Sequence, residues 1–163
     1  EIYRMVVLDD QYRAKGFIEP GMKVLDVGAN LGLFALQASR LGAEPVAFEP
    51  MPLNVMCIEM MRERHNLDFA LFPCALGDSS GRARMHSSLS CVSGGSWILA
   101  EGEADDAPVE VPIDTLDNVV EQLGLTQLDF IKVDTEGHEH HVLRGAAAAL
   151  NRFHPTLAVS AYH

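Results

Sequence analysis

D-V-G-A-N-L-G, Asp26 to Gly32, is the stretch whose reading decides the fold. It continues a short apolar run, Lys23–Val27 (KVLDV). It opens into Leu31–Leu41 (LGLFALQASRL), where apolar residues recur at helical spacing and Gly42 supplies a stop. The segment therefore reads as a strand that turns through glycines into a helix. Glycines at such a turn let the backbone approach a ligand closely, and the N–H groups at the helix start favour an anionic group.

Outward from this turn the pattern repeats. Pro45–Glu49 (PVAFE) is a second strand, and Leu53–His65 (LNVMCIEMMRERH) a second helix with Pro52 tolerated at its start. Phe69–Cys74 (FALFPC) is a third strand that Pro73 brings to an end. Strand–helix–strand–helix–strand with short connections implies a parallel sheet with right-handed crossovers. Residues 79–108 break the pattern and read as a long loop or irregular β excursion over the top of the sheet. Asp114–Leu123 reads as a helix capped by Asp114 and ended by Gly124. Asp129–Asp134 (DFIKVD) is a fourth parallel strand, Glu139–Leu150 a helix and Thr156–Ala161 a fifth strand. The expected fold is one Rossmann-like α/β domain over residues 1–163, with helices on both faces. Its parallel sheet has the order 3-2-1-4-5, and a ligand is expected at the switch point between strands one and four.

The bulk numbers narrow the function. With 12 Lys and Arg against 23 Asp and Glu, the formal net charge is -11. That argues against a nucleic-acid backbone and against an anionic membrane surface as partners. No apolar run is long enough to span a bilayer, and no signal peptide is evident. The cysteines, Cys57, Cys74 and Cys91, are odd in number and form no C-x-x-C pair, which fits a reducing, cytoplasmic setting.

Glu49 ends the second strand, 21 positions after Gly28, where a carboxylate can take both hydroxyls of a ribose. Together with the glycine turn it points to an adenosine-containing cofactor. A dinucleotide site usually carries G-x-G-x-x-G, whereas this turn has Asn30 between Gly28 and Gly32 and Asp26 just before it. An acid beside a pyrophosphate repels it, while an acid beside the ammonium and sulfonium of S-adenosylmethionine attracts them. The charges favour S-adenosylmethionine over NAD, and an NAD-linked oxidoreductase is the alternative enzyme. Asp78, in C-A-L-G-D at the end of strand three, is placed to accept from the exocyclic amine of an adenine.

D-T-E-G-H-E-H-H, residues 134–141, lies where the fourth strand gives way to a helix. Asp134 is the first candidate to orient the acceptor or the cofactor's amine, Glu136 the second, and His138 a candidate base. Lys132 is expected to pair with an acid such as Asp134 rather than to react. Acids at Glu136 and Glu139 also suit a helix start without any catalytic role. H-E-H-H lacks the H-E-x-x-H spacing of zinc proteases, so no metal ligand is assigned, and a carboxylate-held divalent cation is the residual alternative. His163 at the chain end is a rival base. Trp97 and Ser93–Ser96 are candidates for a lid, with packing the stronger role for Trp97.

Taken in order, V-L-D-V-G-A-N-L-G, V-A-F-E-P, A-L-G-D, D-F-I-K-V-D-T-E-G-H-E and V-L-R-G-A resemble the FkbM family of methyltransferases, over about Lys23 to His163. The resemblance implies S-adenosylmethionine-dependent transfer to a hydroxyl oxygen of a small molecule such as a sugar or natural product. It adds Pro50 and Ala75 to the cofactor set of Asp26, Gly28, Asn30, Gly32, Glu49 and Asp78. Two departures stand out. His138 occupies a position that is commonly small and apolar in the family. The chain also ends after its fifth strand, so the usual sixth and seventh strands are absent and a C-terminal truncation is expected. A non-catalytic fragment or binding module with this fold is the rival from another class. The open edge of strand five allows pairing with a second copy.

Overall fold

The computed structural model describes residues 2–86, 96–105 and 107–161. Among the described residues, eight strands form two sheets: β1 Lys23–Val27, β2 Glu44–Phe48, β3 Ala70–Phe72, β4 Ala75–Gly77, β5 Gly81–Met85, β6 Val109–Thr115, β7 Phe130–Val133 and β8 Thr156–Val159. The main sheet is five-stranded and parallel throughout, in the order β3-β2-β1-β7-β8. That is the predicted 3-2-1-4-5 arrangement, with the numbering displaced by three strands of a second sheet. β1 lies at the centre because its residues are buried on both faces. Leu25 and Val27 enter a core with Leu116, Val119, Val142 and Ala149 on one side. Val24 packs with Phe34, Ala38 and Phe130 on the other. Alternation along an extended chain thus makes one strand the floor of two cores.

Six α-helices among the described residues connect and cover the strands: α1 Ala14–Phe17, α2 Leu33–Arg40, α3 Pro52–His65, α4 Leu116–Gln122, α5 Glu139–Arg144 and α6 Ala147–Phe153. A π-helical turn, Arg4–Leu8, precedes them. The N-terminal segment is fastened to the body. Val6, Ala14 and Ile18 are buried against the core of Val24, Phe34 and Phe130, and Gln37 Nε2 donates to Asp10 Oδ1 at 2.9 Å.

One expectation is refined and two change. For the described part of residues 79–108, the β alternative holds over the loop, and it takes the form of a regular strand. β5 and β6 pair antiparallel from Gly81↔Ile113 to Met85↔Val109, and β6 also pairs parallel with β4, giving a sheet ordered β4-β6-β5. One face of this small sheet supplies Ala75, Met85 and Val111 to a core with Met51, which is why Ala83 and Met85 of β5 turn inward while Arg82 and Arg84 stay exposed. Asp114 is not a helix cap. It lies in β6, and Thr115 caps α4, its hydroxyl accepting from Asn118 N–H at 3.2 Å. The helix expected over Glu139–Leu150 is broken between α5 and α6. At Gly145 an added Cβ would stand 1.9 Å from Gly77 O, so the chain leaves α5 where it presses on β4.

Candidate active site

β1 and β7 are neighbours in register, and Asp26 faces Lys132 across them. Asp26 is fully buried. Its Oδ2 accepts from Ala35 N–H at 3.1 Å, which satisfies a donor in the first turn of α2. Lys132 Nζ stands 3.1 Å from Asp26 Oδ1, off the direction of a hydrogen bond, so that oxygen is charge-compensated without accepting one. The same ammonium donates to Gly28 O at 2.6 Å and Val27 O at 3.3 Å. Lys132 does pair with an acid, and that acid is Asp26. Asp26 stands beneath the glycine turn rather than on a ligand-facing wall.

The turn itself runs through left-handed conformations, with φ of 75° at Gly28, 52° at Asn30 and 74° at Gly32. At Gly28 an added Cβ would come within 1.9 Å of Asp134 O, so glycine is what allows the end of β7 to pass this close. Glu49 closes the turn from the β2 side. It is 4% exposed; its Oε2 accepts from Asn30 N–H at 2.7 Å, and its Oε1 from Met51 N–H at 2.9 Å and Asn54 Nδ2 at 3.2 Å. Burial pushes the Glu49 carboxyl above the ordinary range, against the pull of those donors.

A cavity of about 380 Å³ opens over the C-terminal ends of β1 and β7. Of the residues singled out in the sequence, Gly28, Asn30, Asp134 and Glu136 line it. Asn30 Oδ1 is buried there without a hydrogen-bond partner. Leu33 and Phe34, the first two residues of α2, reach the same wall, and their position in the helix leaves their N–H groups without an intrahelical acceptor. The D-T-E-G turn explains how two carboxylates come to line one cavity. Glu136 at φ 53° and Gly137 at φ 97° fold the chain back sharply after β7. Glu139 Oε1 holds that fold by accepting from Thr135 N–H at 2.7 Å and Gly137 N–H at 3.3 Å.

The remaining candidates lie outside this cavity. His138 turns its ring to β4, where a Cβ at Gly77 would meet its Nε2 at 3.0 Å. That nitrogen is buried without a partner, and burial with the neighbouring imidazoles of His141 and His140 lowers the His138 pKa to about 4. His141 stacks on His138 at 4.3 Å and bonds through Nδ1 to Asp78 Oδ2 at 2.6 Å, which lowers the Asp78 carboxyl. Gly32 packs on α3, where an added Cβ would meet Met61 Cε at 2.8 Å. Ala75 is buried beside Met51, and Pro50 is half-buried between Glu49 and Met51. The predicted set thus divides into a cavity-lining group (Gly28, Asn30, Asp134 and Glu136), a group along β2, β4 and α5 (Glu49, Pro50, Ala75, Asp78 and His138), and Asp26 and Gly32 packed behind the turn, with Glu49 bonded to Asn30 N–H.

Trp97 stacks on His86 at 4.1 Å, and His86 Nδ1 meets Asp105 Oδ2 at 2.6 Å. Cys91, Ser93, Gly94, Gly95, Tyr162 and His163, including the rival base and most of the lid, lie outside the described residues. Among the described residues no three His, Cys, Asp or Glu side chains are grouped to hold a metal ion, and no helix is long and apolar enough to cross a membrane.

Sequence reasoning missed Ile2, Met5, Val6, Gln11 and Tyr12, which form the outer wall of the cavity. Tyr12 donates its hydroxyl to Asp134 Oδ2 at 2.5 Å, across 122 positions of sequence. Nothing in the local pattern around Tyr12 signals a contact of that range.

A five-stranded parallel sheet in this order, with a glycine turn and two carboxylates at its carboxyl edge, defines a Rossmann-like α/β fold. Residues 26–163 match the methyltransferase FkbM domain, and the chain belongs to that family. It is 27% identical to 31-O-demethyl-FK506 methyltransferase FkbM of Streptomyces tacrolimicus, over 91% of this chain and 68% of that protein. It is also 27% identical to 2-O-methyltransferase NoeI of Sinorhizobium fredii, over 82% of this chain and 61% of that one. A third relative, AMB antimetabolite synthetase AmbE of Pseudomonas aeruginosa, is 28% identical over 88% of this chain, which spans 8% of its length.

Proposed function

We propose that this chain binds S-adenosylmethionine and transfers its methyl group to a hydroxyl of a small molecule such as a sugar or natural product. The observation that carries the reading is the cavity wall on which the unpartnered Asn30 Oδ1 stands with Asp134 and Glu136. A buried acceptor and two carboxylates suit an ammonium and a sulfonium, and they oppose the pyrophosphate of NAD. The first N–H groups of α2 suit a carboxylate on the same ligand. The names of two relatives, a 31-O-demethyl-FK506 methyltransferase and a 2-O-methyltransferase, support the hydroxyl acceptor class.

When bound, S-adenosylmethionine supplies an electrophilic methyl group. The chain's own work is to hold the acceptor in line and to take its proton. With the cofactor in place, an O–C bond would form as the S–C bond breaks with its pair left on sulfur, and a cavity carboxylate would receive the acceptor's proton. Asp134 is our first assignment for orienting the acceptor and Glu136 the second, since both line the cavity. His138, turned to β4, is not assigned as the base.

Titration calorimetry with S-adenosylhomocysteine, beside NAD, tests the reading. Asn30→Gly keeps the left-handed backbone while removing the amide, and is the informative control. Saturable binding of S-adenosylhomocysteine, absent with NAD and weakened about tenfold by Asn30→Gly, is expected for the loss of a hydrogen bond to a charged group. A folded chain that binds NAD instead, or neither ligand, overturns it.

A further inference from the structure

We infer that Tyr12 is a positioning residue of this site, acting through Asp134 to fix a carboxylate beside the cationic centre of the bound cofactor. The inference rests on the methyl-transfer reading above. Tyr12 lies before residue 26, where the family match begins, so nothing in that match assigns it a role.

Four observations place it. Its hydroxyl donates to Asp134 Oδ2 at 2.5 Å. Its ring meets Phe34 of α2 edge-on, with centroids 5.5 Å apart. Lys132 Nζ lies 5.3 Å from the ring centroid on its face, so the ring also covers the buried Asp26–Lys132 pair. Finally, Tyr12 and Asp134 line the same cavity. The segment that carries Tyr12 is held independently of the phenol. Asp10 accepts from Gln37 Nε2 at 2.9 Å and from Lys15 N–H at 3.2 Å, and Lys15 Nζ donates to Val7 O at 3.1 Å. A ring fixed by packing, in a segment fixed elsewhere, presents its hydroxyl to Asp134 Oδ2 from a defined direction. Asp134 is half-buried just after β7, so an ordered donor at its Oδ2 bears on the side chain's rotamer.

The consequence is specific to charge. S-adenosylmethionine and S-adenosylhomocysteine differ by a methyl group and by the positive charge on sulfur. A carboxylate held next to that sulfur favours the charged ligand, and a wandering one favours it less. The test is calorimetric titration of the full chain with both ligands, for wild type, Tyr12→Phe and Asp134→Asn. Tyr12→Phe keeps the ring, its edge contact with Phe34 and its cover over Lys132. The expected result is a loss of about threefold to fivefold in affinity for S-adenosylmethionine, with S-adenosylhomocysteine within about twofold of wild type. Asp134→Asn should show the same selective loss, about tenfold, and adding Tyr12→Phe to it should change nothing more. Equal losses for both ligands would mean that Tyr12 only holds the segment in place, which overturns the inference. So would unchanged affinity for both, or additive effects in the double variant. Wild type that binds neither ligand instead removes the methyl-transfer reading on which the inference stands.

Discussion

Asp26 and Lys132 are register partners on adjacent parallel strands, and their side chains meet 3.1 Å apart beneath the glycine turn. Both are buried, at 0% and 3% exposure. One end of the pair satisfies the start of α2 and the other holds the carbonyls of Val27 and Gly28. A buried pair of this kind ties two strands and a helix to one another, so removing one partner strands a charge in the interior. Lys132→Met is expected to cost about 3–5 kcal/mol in urea unfolding. The double variant Asp26→Asn/Lys132→Met should recover a large part of that loss. Additive losses in the double variant would show that the two charges do not compensate each other.

Gly28 separates backbone strain from collision. Ala at this position adopts φ 75° and drives a Cβ to 1.9 Å from Asp134 O. Gly21, at φ 83°, has open space where a Cβ would go. Gly21→Ala should therefore cost about 1 kcal/mol and Gly28→Ala about 3 kcal/mol or more. Similar costs at the two sites would mean that β7 leaves room for a Cβ beside the turn.

His138 sets an acid limit on stability. Its folded pKa, about 4, lies below the ordinary value of 6.5. Between those values the unfolded chain binds a proton that the folded chain refuses, so stability falls as pH drops from about 6.5 to 4 and is unaffected by this group above that window. The groups facing it are His140, His141, Asp78 and Glu139. His138→Phe removes the titration and keeps the ring stacked on His141. Over that window its melting temperature should fall several degrees less than that of wild type. Parallel curves would assign the acid sensitivity to other groups.

Cys74 should be the slow thiol. Burial, and then the charge of Asp114, raise its pKa from 9.0 to about 11. At pH 8 that leaves about 100-fold less thiolate than at an ordinary cysteine of this reference value. Timed alkylation of the folded protein with iodoacetamide, read by peptide mass spectrometry, should modify Cys57 well before Cys74. Equal rates would contradict the burial of the thiol.

Much of this architecture was readable because its signals are local. The run K-V-L-D-V followed by glycines, and the repeated passage from apolar strand to helical spacing, are patterns of near neighbours. They required a parallel sheet and placed Gly28, Asn30, Asp134 and Glu136 at one edge. The second sheet was less legible. β5, G-R-A-R-M, buries only Met85 fully, and its pairing partner β6 begins at Val109, so neither strand announces the other. V-E-V-P-I-D does alternate, and that period was the available signal. The helix break at Gly145 was likewise invisible, because its cause is Gly77 O on another strand.

The sequence by itself determined the βαβ order, the acidic net charge of -11, and the family to which residues 26–163 belong. Tertiary structure decided which of the many acids do what. Asp26 is spent on Lys132 and Ala35, Glu49 on Asn30 and Met51, Glu139 on the turn that precedes it, and Asp134 meets Tyr12 at the cavity. The physical reason is that a carboxylate's role is set by the donors within about 3 Å of it. Those donors come from segments as far as 122 positions away in the chain.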